Sequence, residues 1–463
     1  MKRVASLGLA ALLAGCSMAP KYVRPEAPVP ASWPVGDAYL AQSEAALPAV
    51  SYRDIFTDAR LQALVEQALA NNRDLRVAAA NLAAARAQVR VVRANQFPEV
   101  AASASASRDS GTGGKAASTS YSISGGISSF ELDLFGRLAS ATEAQKQTAL
   151  ASEASARTVR LGLVADLANA WAGYGADQEL LKLAEATASS AQATVKLTRA
   201  RLEGGVAPRT DLRQAEQVLS TAEADVAAQK TALAQDRNLI MLLVGAPFDP
   251  ALLPGDLSEV VASIKALPAG TSSEVLLRRP DVVAAEYRLR SANANIGVAR
   301  AELFPRITLT GLLGLASDSL AALFTGDAFH TTVGGNASYS IFNAGGARAG
   351  VAVSEAQRDA ALATYELAIQ TAFREVADAL ARQGTIGDEL AAVERRTAAA
   401  TDTATLVTAQ YRGGIASSLD NLDAQRSLYT VQRTLVGERL LLISNRVTLY
   451  RVLGGDQAAA SPR

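Results

Sequence analysis

Val92-Arg93-Ala94-Asn95-Gln96-Phe97-Pro98 and Ala299-Arg300-Ala301-Glu302-Leu303-Phe304-Pro305 are one junction written twice. In each, a helical run ends against a proline, whose ring pushes the preceding residue out of the helical region. Four further pairs keep the same order. Asn72-Arg73-Asp74-Leu75 matches Arg279-Pro280-Asp281-Val282, and Phe135-Gly136 matches Phe342-Asn343. Arg201-Leu202-Glu203-Gly204-Gly205-Val206 matches Gln410-Tyr411-Arg412-Gly413-Gly414-Ile415, and Leu243-Val244-Gly245 matches Val452-Leu453-Gly454. The offset stays at roughly 207–209 residues, the mark of an internal duplication. Each copy reads as a helix, two strands, a long helix, a Gly-Gly turn and a closing helix.

The strands follow the prolines, at about 98–108 and 120–133 in the first copy and about 305–317 and 331–342 in the second. Val100, Ala102, Ala104 and Ala106 alternate with Ala101, Ser103, Ser105 and Ser107. Ile307, Leu309, Gly311, Leu313 and Leu315 alternate with Thr308, Thr310, Leu312, Gly314 and Ala316. An apolar face opposite a small, polar one, over roughly 9–11 residues, fits a membrane barrel with a wet interior. Two half-buried hairpins on a soluble sheet would share the pattern, but four such strands in register with a duplication favour the barrel. Four strands cannot close one: about eight are needed, and an open edge in lipid leaves backbone groups unpaired. Spanning therefore requires an oligomer, with twelve strands from three copies or eight from two.

The long helices are expected at about 137–203 and 345–412, without proline. At about 67 residues each they reach roughly 100 Å. Their apolar stripes, such as Val159, Leu163, Leu167 and Trp171, read as packing seams. The first helix is expected to be continuous over about 58–95 and the closing helix over about 208–245. Two such helices end to end would match one long helix.

The remaining composition mostly excludes. Lys and Arg together number 45, as do Asp and Glu, so no electrostatic case exists for nucleic acid. No run after the first residues holds 18 consecutive apolar positions, so there is no transmembrane helix. Residues 1–15 read as a signal peptide: Lys2 and Arg3 precede a short apolar run. It ends in Leu13-Ala14-Gly15-Cys16, which resembles the lipobox of bacterial lipoproteins and implies cleavage before Cys16 and its lipidation. An ordinary secretory signal with a chance cysteine is the plainer alternative. The remaining segments are an extension at 16–57, the repeats at 58–256 and 271–455, and a tail at 456–463.

Read together, these segments resemble the outer-membrane factors of tripartite export systems, the TolC-like proteins, and most closely their lipidated OprM/NodT-type efflux branch. The matching stretches include Phe56-Thr57-Asp58, Glu131-Leu132-Asp133-Leu134-Phe135-Gly136-Arg137, Arg279-Pro280-Asp281 and Leu422-Asp423-Ala424-Gln425-Arg426. The resemblance covers nearly the whole chain. It implies an α+β membrane protein: a homotrimer with a twelve-stranded β-barrel in the outer membrane of a Gram-negative bacterium, continuous with a twelve-helix periplasmic α-barrel. An equatorial girdle would draw on residues 35–53, 254–271 and the tail. The implied function is a passive exit duct for drugs, toxic compounds or metal ions. A periplasmic adaptor would link it to an inner-membrane pump of the RND type. Protein secretion of the type I kind, and a non-channel structural lipoprotein, are the alternatives.

The chemistry agrees. The single histidine, His330, leaves no partner for a Cys/His metal site or a Ser-His-Asp triad, and no enzyme or cofactor is expected beyond the lipid on Cys16. Gly113-Gly114-Lys115-Ala116 lacks phosphate-loop spacing. By resemblance, the Gly-Gly turns lie at the periplasmic tip. There Glu203, Asp211, Tyr411, Arg412, Asp420 and Asp423 would form the aperture. Gly204, Gly205, Val206, Gly413, Gly414 and Ile415 would dock the adaptor. Helix capping is the plainer role for Asp211 and Asp420, since both fall in a first turn and Ser417 precedes Asp420 at capping-box spacing. Gln214 stands where the second copy has Asp423, so the two hairpins should differ.

Overall fold

A computed structural model describes residues 18–36, 38–39, 51–110, 118–267 and 273–455. The signal peptide, Cys16, the Gly113–Lys115 loop and the tail at 456–463 lie outside the described residues. The chain divides into two compact units. One comprises Ala80–Ala154 and Val283–Leu367 with the described residues up to Glu26; the other comprises Ala27–Ala79, Ser155–Val282 and Ala368–Arg463.

In chain order the elements are α1 (Tyr52–Ile55), α2 (Ala59–Asn71), α3 (Arg73–Ala94), β1 (Ala101–Asp109) and β2 (Ser118–Glu131). They continue with α4 (Arg137–Glu203), α5 (Arg209–Val244), α6 (Leu257–Ser263), α7 (Pro280–Ala301), β3 (Arg306–Ser317) and β4 (Phe329–Ser338). Last come α8 (Gly346–Arg412) and α9 (Ser418–Val452). The α+β reading holds, and α4 and α8 are each 67 residues.

Three expectations need correction. The helix expected over 58–95 is two helices. Asn72, at φ −58° and ψ 137°, ends α2 and then accepts the Leu75 N–H on its Oδ1 at 3.0 Å, starting α3. Its Nδ2 donates to the Leu243 carbonyl at 2.8 Å, so the break is fastened to α5. In the second copy the matching stretch is only a 3₁₀ turn, Ser273–Arg278, before α7. There the short helices α7 and α9, of 22 and 35 residues, fall short of the 67 of α8, so the end-to-end match of lengths fails in the second copy. Finally, β4 stops at Ser338, short of Ile341, which is 93% exposed.

The first unit holds the sheet. Its four strands run β1-β2-β3-β4, all antiparallel, so the two hairpins of the duplication pair through β2 and β3. The register keeps the two faces apart. Ser103, Ser105 and Ser107 face Ser124, Ser122 and Ser120, and each pair of hydroxyls is bonded at 2.8–2.9 Å. On the other face Ala104, Ile123, Leu315 and Phe329 lie side by side. At the base of the sheet Phe135 of the first copy stacks on Phe304 of the second at 4.6 Å. Below them α7 packs closely on α4, where the Ser291 hydroxyl donates to the Ala144 carbonyl at 2.9 Å.

The second unit has the larger aromatic core. Trp171 on α4 is fully buried and its indole N–H donates to the Leu252 carbonyl at 2.9 Å. Phe56 meets Tyr450 edge-on at 5.2 Å, and Trp33 stacks on Phe373 at 5.0 Å. Arg279, the first residue of the Arg-Pro-Asp motif, is buried. It pairs with Asp281 and Glu375 and donates to the Val452 carbonyl, capping the end of α9. A buried guanidinium is tolerated because two carboxylates and a carbonyl share its donors.

Candidate functional site: the paired glycine turns

The tip of the second unit is where α4 and α8 end and α5 and α9 begin. Both stops are built alike. The Gly205 N–H donates to the Leu202 carbonyl at 3.0 Å and the Val206 N–H to the Arg201 carbonyl at 2.9 Å. In the second copy Gly414 donates to Tyr411 at 3.1 Å and Ile415 to Gln410 at 2.8 Å. This double closure needs a left-handed residue just past the helix end, immediately before the last donor. Gly205 (φ 74°) and Gly414 (φ 78°) supply it. Gly204 and Gly413 do not adopt positive φ, so only the second glycine of each pair is demanded by the turn. Val206 and Ile415, which such turns often tuck against the helix, are instead 77% and 83% exposed.

The expected aperture residues separate into distinct roles. Tyr411 is buried, and its hydroxyl lies 2.9 Å from the Thr198 hydroxyl on α4. The Arg201 guanidinium sits 4.5 Å from the Tyr411 ring centroid and donates to the Tyr411 carbonyl at 2.8 Å, so a cation–π contact and a backbone bond lock the same pair of helix ends. Arg412 and Glu203 are exposed. Asp420 completes a capping box with Ser417, each side chain bonding the other's backbone N–H. The Ser417 hydroxyl and N–H hold its carboxyl below the usual carboxylate range. Asp211 is in the first turn of α5 but makes no such cap, because Pro208 occupies the capping position and has no side-chain oxygen. Asp423 pairs with Arg426, one turn on, and stays exposed.

Sequence reading missed Thr198, Arg201 and Asn421. Asn421 is buried and accepts the Thr408 hydroxyl at 2.8 Å, joining α8 to α9. A signal existed for Thr198: it takes a seam position between Val195 and Leu202, where spacings of three and four otherwise place apolar residues. Gln214, opposite Asp423 in the repeat, lies with Leu419, Leu422, Gln425 and Tyr429 around a groove of about 360 Å³ between α5 and α9. At that groove the Tyr429 hydroxyl donates to Asp225 at 2.9 Å. Burial, then the Asp225 carboxylate, pushes Tyr429 up to about 12. Nearby, Glu216 bridges Arg213 and Arg199, which hold its carboxyl below the usual range.

The tip therefore offers two tight turns with an apolar residue at each apex, exposed charges beside them, and buried polar ties behind. Among the described residues no cluster of His, Cys, Asp and Glu could hold a metal ion.

Comparison with known proteins agrees with that geometry. The family model for outer membrane efflux proteins matches residues 64–246 and again 271–455, once for each copy of the repeat. The toluene efflux pump outer membrane protein TtgC of Pseudomonas putida is 42% identical, over 98% of this chain and 96% of that protein. Crystal structures of CusC superpose with a TM-score of 0.84 at 35% identity, covering 95% of this chain and all of that one. The open state of the MtrE outer membrane channel of Neisseria gonorrhoeae gives 0.85 at 33% identity, covering 95% and 98%. A duplicated chain with four antiparallel strands and paired long helices, matched in this way along nearly its whole length, belongs to the outer membrane efflux protein family, the outer-membrane factors of tripartite efflux systems.

Proposed function

We propose that three copies of this chain close a twelve-stranded barrel in the outer membrane, continuous with a twelve-helix tunnel in the periplasm. The assembly is a passive exit duct for small molecules. A periplasmic adaptor seats on the turns at Gly204-Gly205-Val206 and Gly413-Gly414-Ile415, and an inner-membrane pump of the RND type supplies the energy. Apolar organic compounds are the favoured cargo, since the relative named above is the outer membrane protein of a toluene efflux pump. The chain catalyses no covalent reaction, needs no cofactor, and carries lipid on Cys16.

The observation that carries this reading is the state of the sheet. Strands β1 and β4 are its edges, and every residue of both is exposed. An edge left open in lipid strands one row of backbone donors and acceptors, at several kcal/mol per group. Joining β4 of one copy to β1 of the next removes both edges, and the serine ladder then faces water while Ile123, Leu315 and Phe329 face lipid. The absence of any buried residue in α3 fits a helix covered by a neighbouring copy.

At the tip, three-fold symmetry brings three copies of each axial carboxylate together, a ring that repels anions and attracts cations. Asp423 is the candidate for it, with the Arg412 cation and Glu203, Asp211 and Asp420 flanking. Light scattering of the detergent-solubilised protein should give three chains per particle, and planar bilayers should show discrete conductance steps that widen on Asp423→Ala. A monodisperse monomer, or a trimer that never conducts, would overturn the reading.

A further inference from the structure

Residues 18–24 form no helix or strand, yet they are fastened by a buried carboxylate. Glu286 on α7 is 4% exposed. It accepts the Tyr22 hydroxyl at 3.3 Å and Arg24 Nε at 3.0 Å, and it also pairs with Arg24 Nη2. From its own helix Arg290 donates to it at 2.6 Å, while the same guanidinium lies 4.9 Å from the Tyr22 ring centroid. Asn293 Nδ2 donates to the Pro20 carbonyl at 2.7 Å. At Gly297 a Cβ would come within 2.7 Å of both the Ala19 Cβ and the Ser140 hydroxyl.

Positions 286, 290, 293 and 297 are spaced by four, three and four, which puts them on one face of α7. Their partners run the other way, from Arg24 back to Ala19. The lengths agree: eleven helical residues rise about 16 Å, and five extended residues span about 17 Å. Each contact on the helix therefore has a partner on the extended chain without slack. Burial raises the Glu286 carboxyl, but hydrogen bonds from Arg24 and Arg290 outweigh it and hold the group below its usual range. The ionised carboxylate is thus compensated from both sides, one of them the extended segment.

We propose that residues 18–24 are a strap laid antiparallel along one face of α7, with Glu286 as its latch, and that the strap fixes the lipid-bearing end of the chain to the fold. The second half of this rests on lipidation of Cys16. Cys16 is three residues upstream of Ala19, at most about 11 Å of chain. A lipid there has no long tether, so the strap sets where the anchor enters the bilayer. Peeling the strap away leaves a buried carboxylate with Arg290 alone and opens the notch at Gly297.

Trypsin provides the test, because Lys21-Tyr22 is its only useful bond in the strap; Arg24 is followed by Pro25. Lys21 is exposed, so only the fixed conformation shields that bond. In the full-length protein, cleavage after Lys21 should be at least about ten-fold faster in Glu286→Ala and in Arg24→Ala than in the wild type. The second variant leaves α7 untouched, and it carries the test if the first fails to fold. Equal rates in wild type and Arg24→Ala would overturn the strap. The mass of the released peptide reports the lipid separately: an unmodified Cys16 beside a protected Lys21 would sink the anchoring role and leave the strap standing.

Discussion

The hydroxyls of Tyr411 and Thr198 meet at 2.9 Å, both buried, and join α8 to α4 within two turns of their glycine stops. Removing one partner leaves the other inaccessible to water and unbonded, which costs about 1–3 kcal/mol. Tyr411→Phe should therefore loosen the tip without unfolding it, since Arg201 still faces the ring. Single-channel recordings should show a higher open probability than wild type. Thr198→Val should do the same, and the double variant should add little to either, because the two changes remove one bond.

The glycines of each turn differ in what they bear. Gly205 and Gly414 take the left-handed conformation, where a side chain costs about 1–2 kcal/mol. Gly205→Ala and Gly414→Ala should each lower the melting temperature, whereas Gly204→Ala should leave it nearly unchanged. A Cβ on Gly204 reaches no closer than 3.4 Å to its nearest neighbour, the Ala200 carbonyl oxygen. Calorimetry of the four single variants, Gly413→Ala included, distinguishes these roles.

Much of the architecture is legible in the residues, and the missing parts share a cause. The strand faces were readable because alternation is local, and the Gly-Gly stops because they repeat. The helix break at Asn72 was not, since one asparagine inside a helical pattern looks like any exposed polar residue. Its Nδ2 bond to the Leu243 carbonyl, 171 residues away, is what makes it a break. Tyr411 was singled out by resemblance, but its partner Thr198 is 213 residues upstream and belongs to the other copy. The capping box of Ser417 and Asp420 was visible at three-residue spacing; the lack of a cap at Asp211 follows from Pro208, which stands three residues before it. Pairings across the duplication were hidden because self-comparison shows which residues correspond, not which ones touch.

Asp236 on α5 and Asp177 on α4 make the helix seam sensitive to pH. Burial, then the neighbouring Asp177 charge, raises Asp236 from 3.8 to about 6, and Asp177 is raised by burial as well. One oxygen of Asp236 is inaccessible and meets no donor. A carboxyl raised in the folded state binds its proton more tightly there than in the unfolded chain. The stability this contributes is whole below pH 3.8, declines as pH rises, and is lost above about 6. Asp236→Asn mimics the protonated form at every pH. It should melt higher than wild type at neutral pH and show a flatter melting profile across that window; the same slope in both proteins would count against the pair.

Val206 and Ile415 offer the cleanest separation of fold from partner. They stand at the apices of two turns whose closure uses only backbone groups, and both side chains are mostly exposed. An isolated surface apolar residue needs no explanation, but two at equivalent apices of a duplicated turn form a matched pair of contacts. Replacing either with aspartate removes an apolar contact and adds a charge, while leaving every bond of the turn in place. Melting temperature and bilayer conductance of Val206→Asp and Ile415→Asp should match wild type, since neither depends on an adaptor. Export in intact cells should fall, and cross-linking to the periplasmic adaptor should weaken with it. If conductance falls together with export, the apices belong to the duct wall rather than to the docking surface.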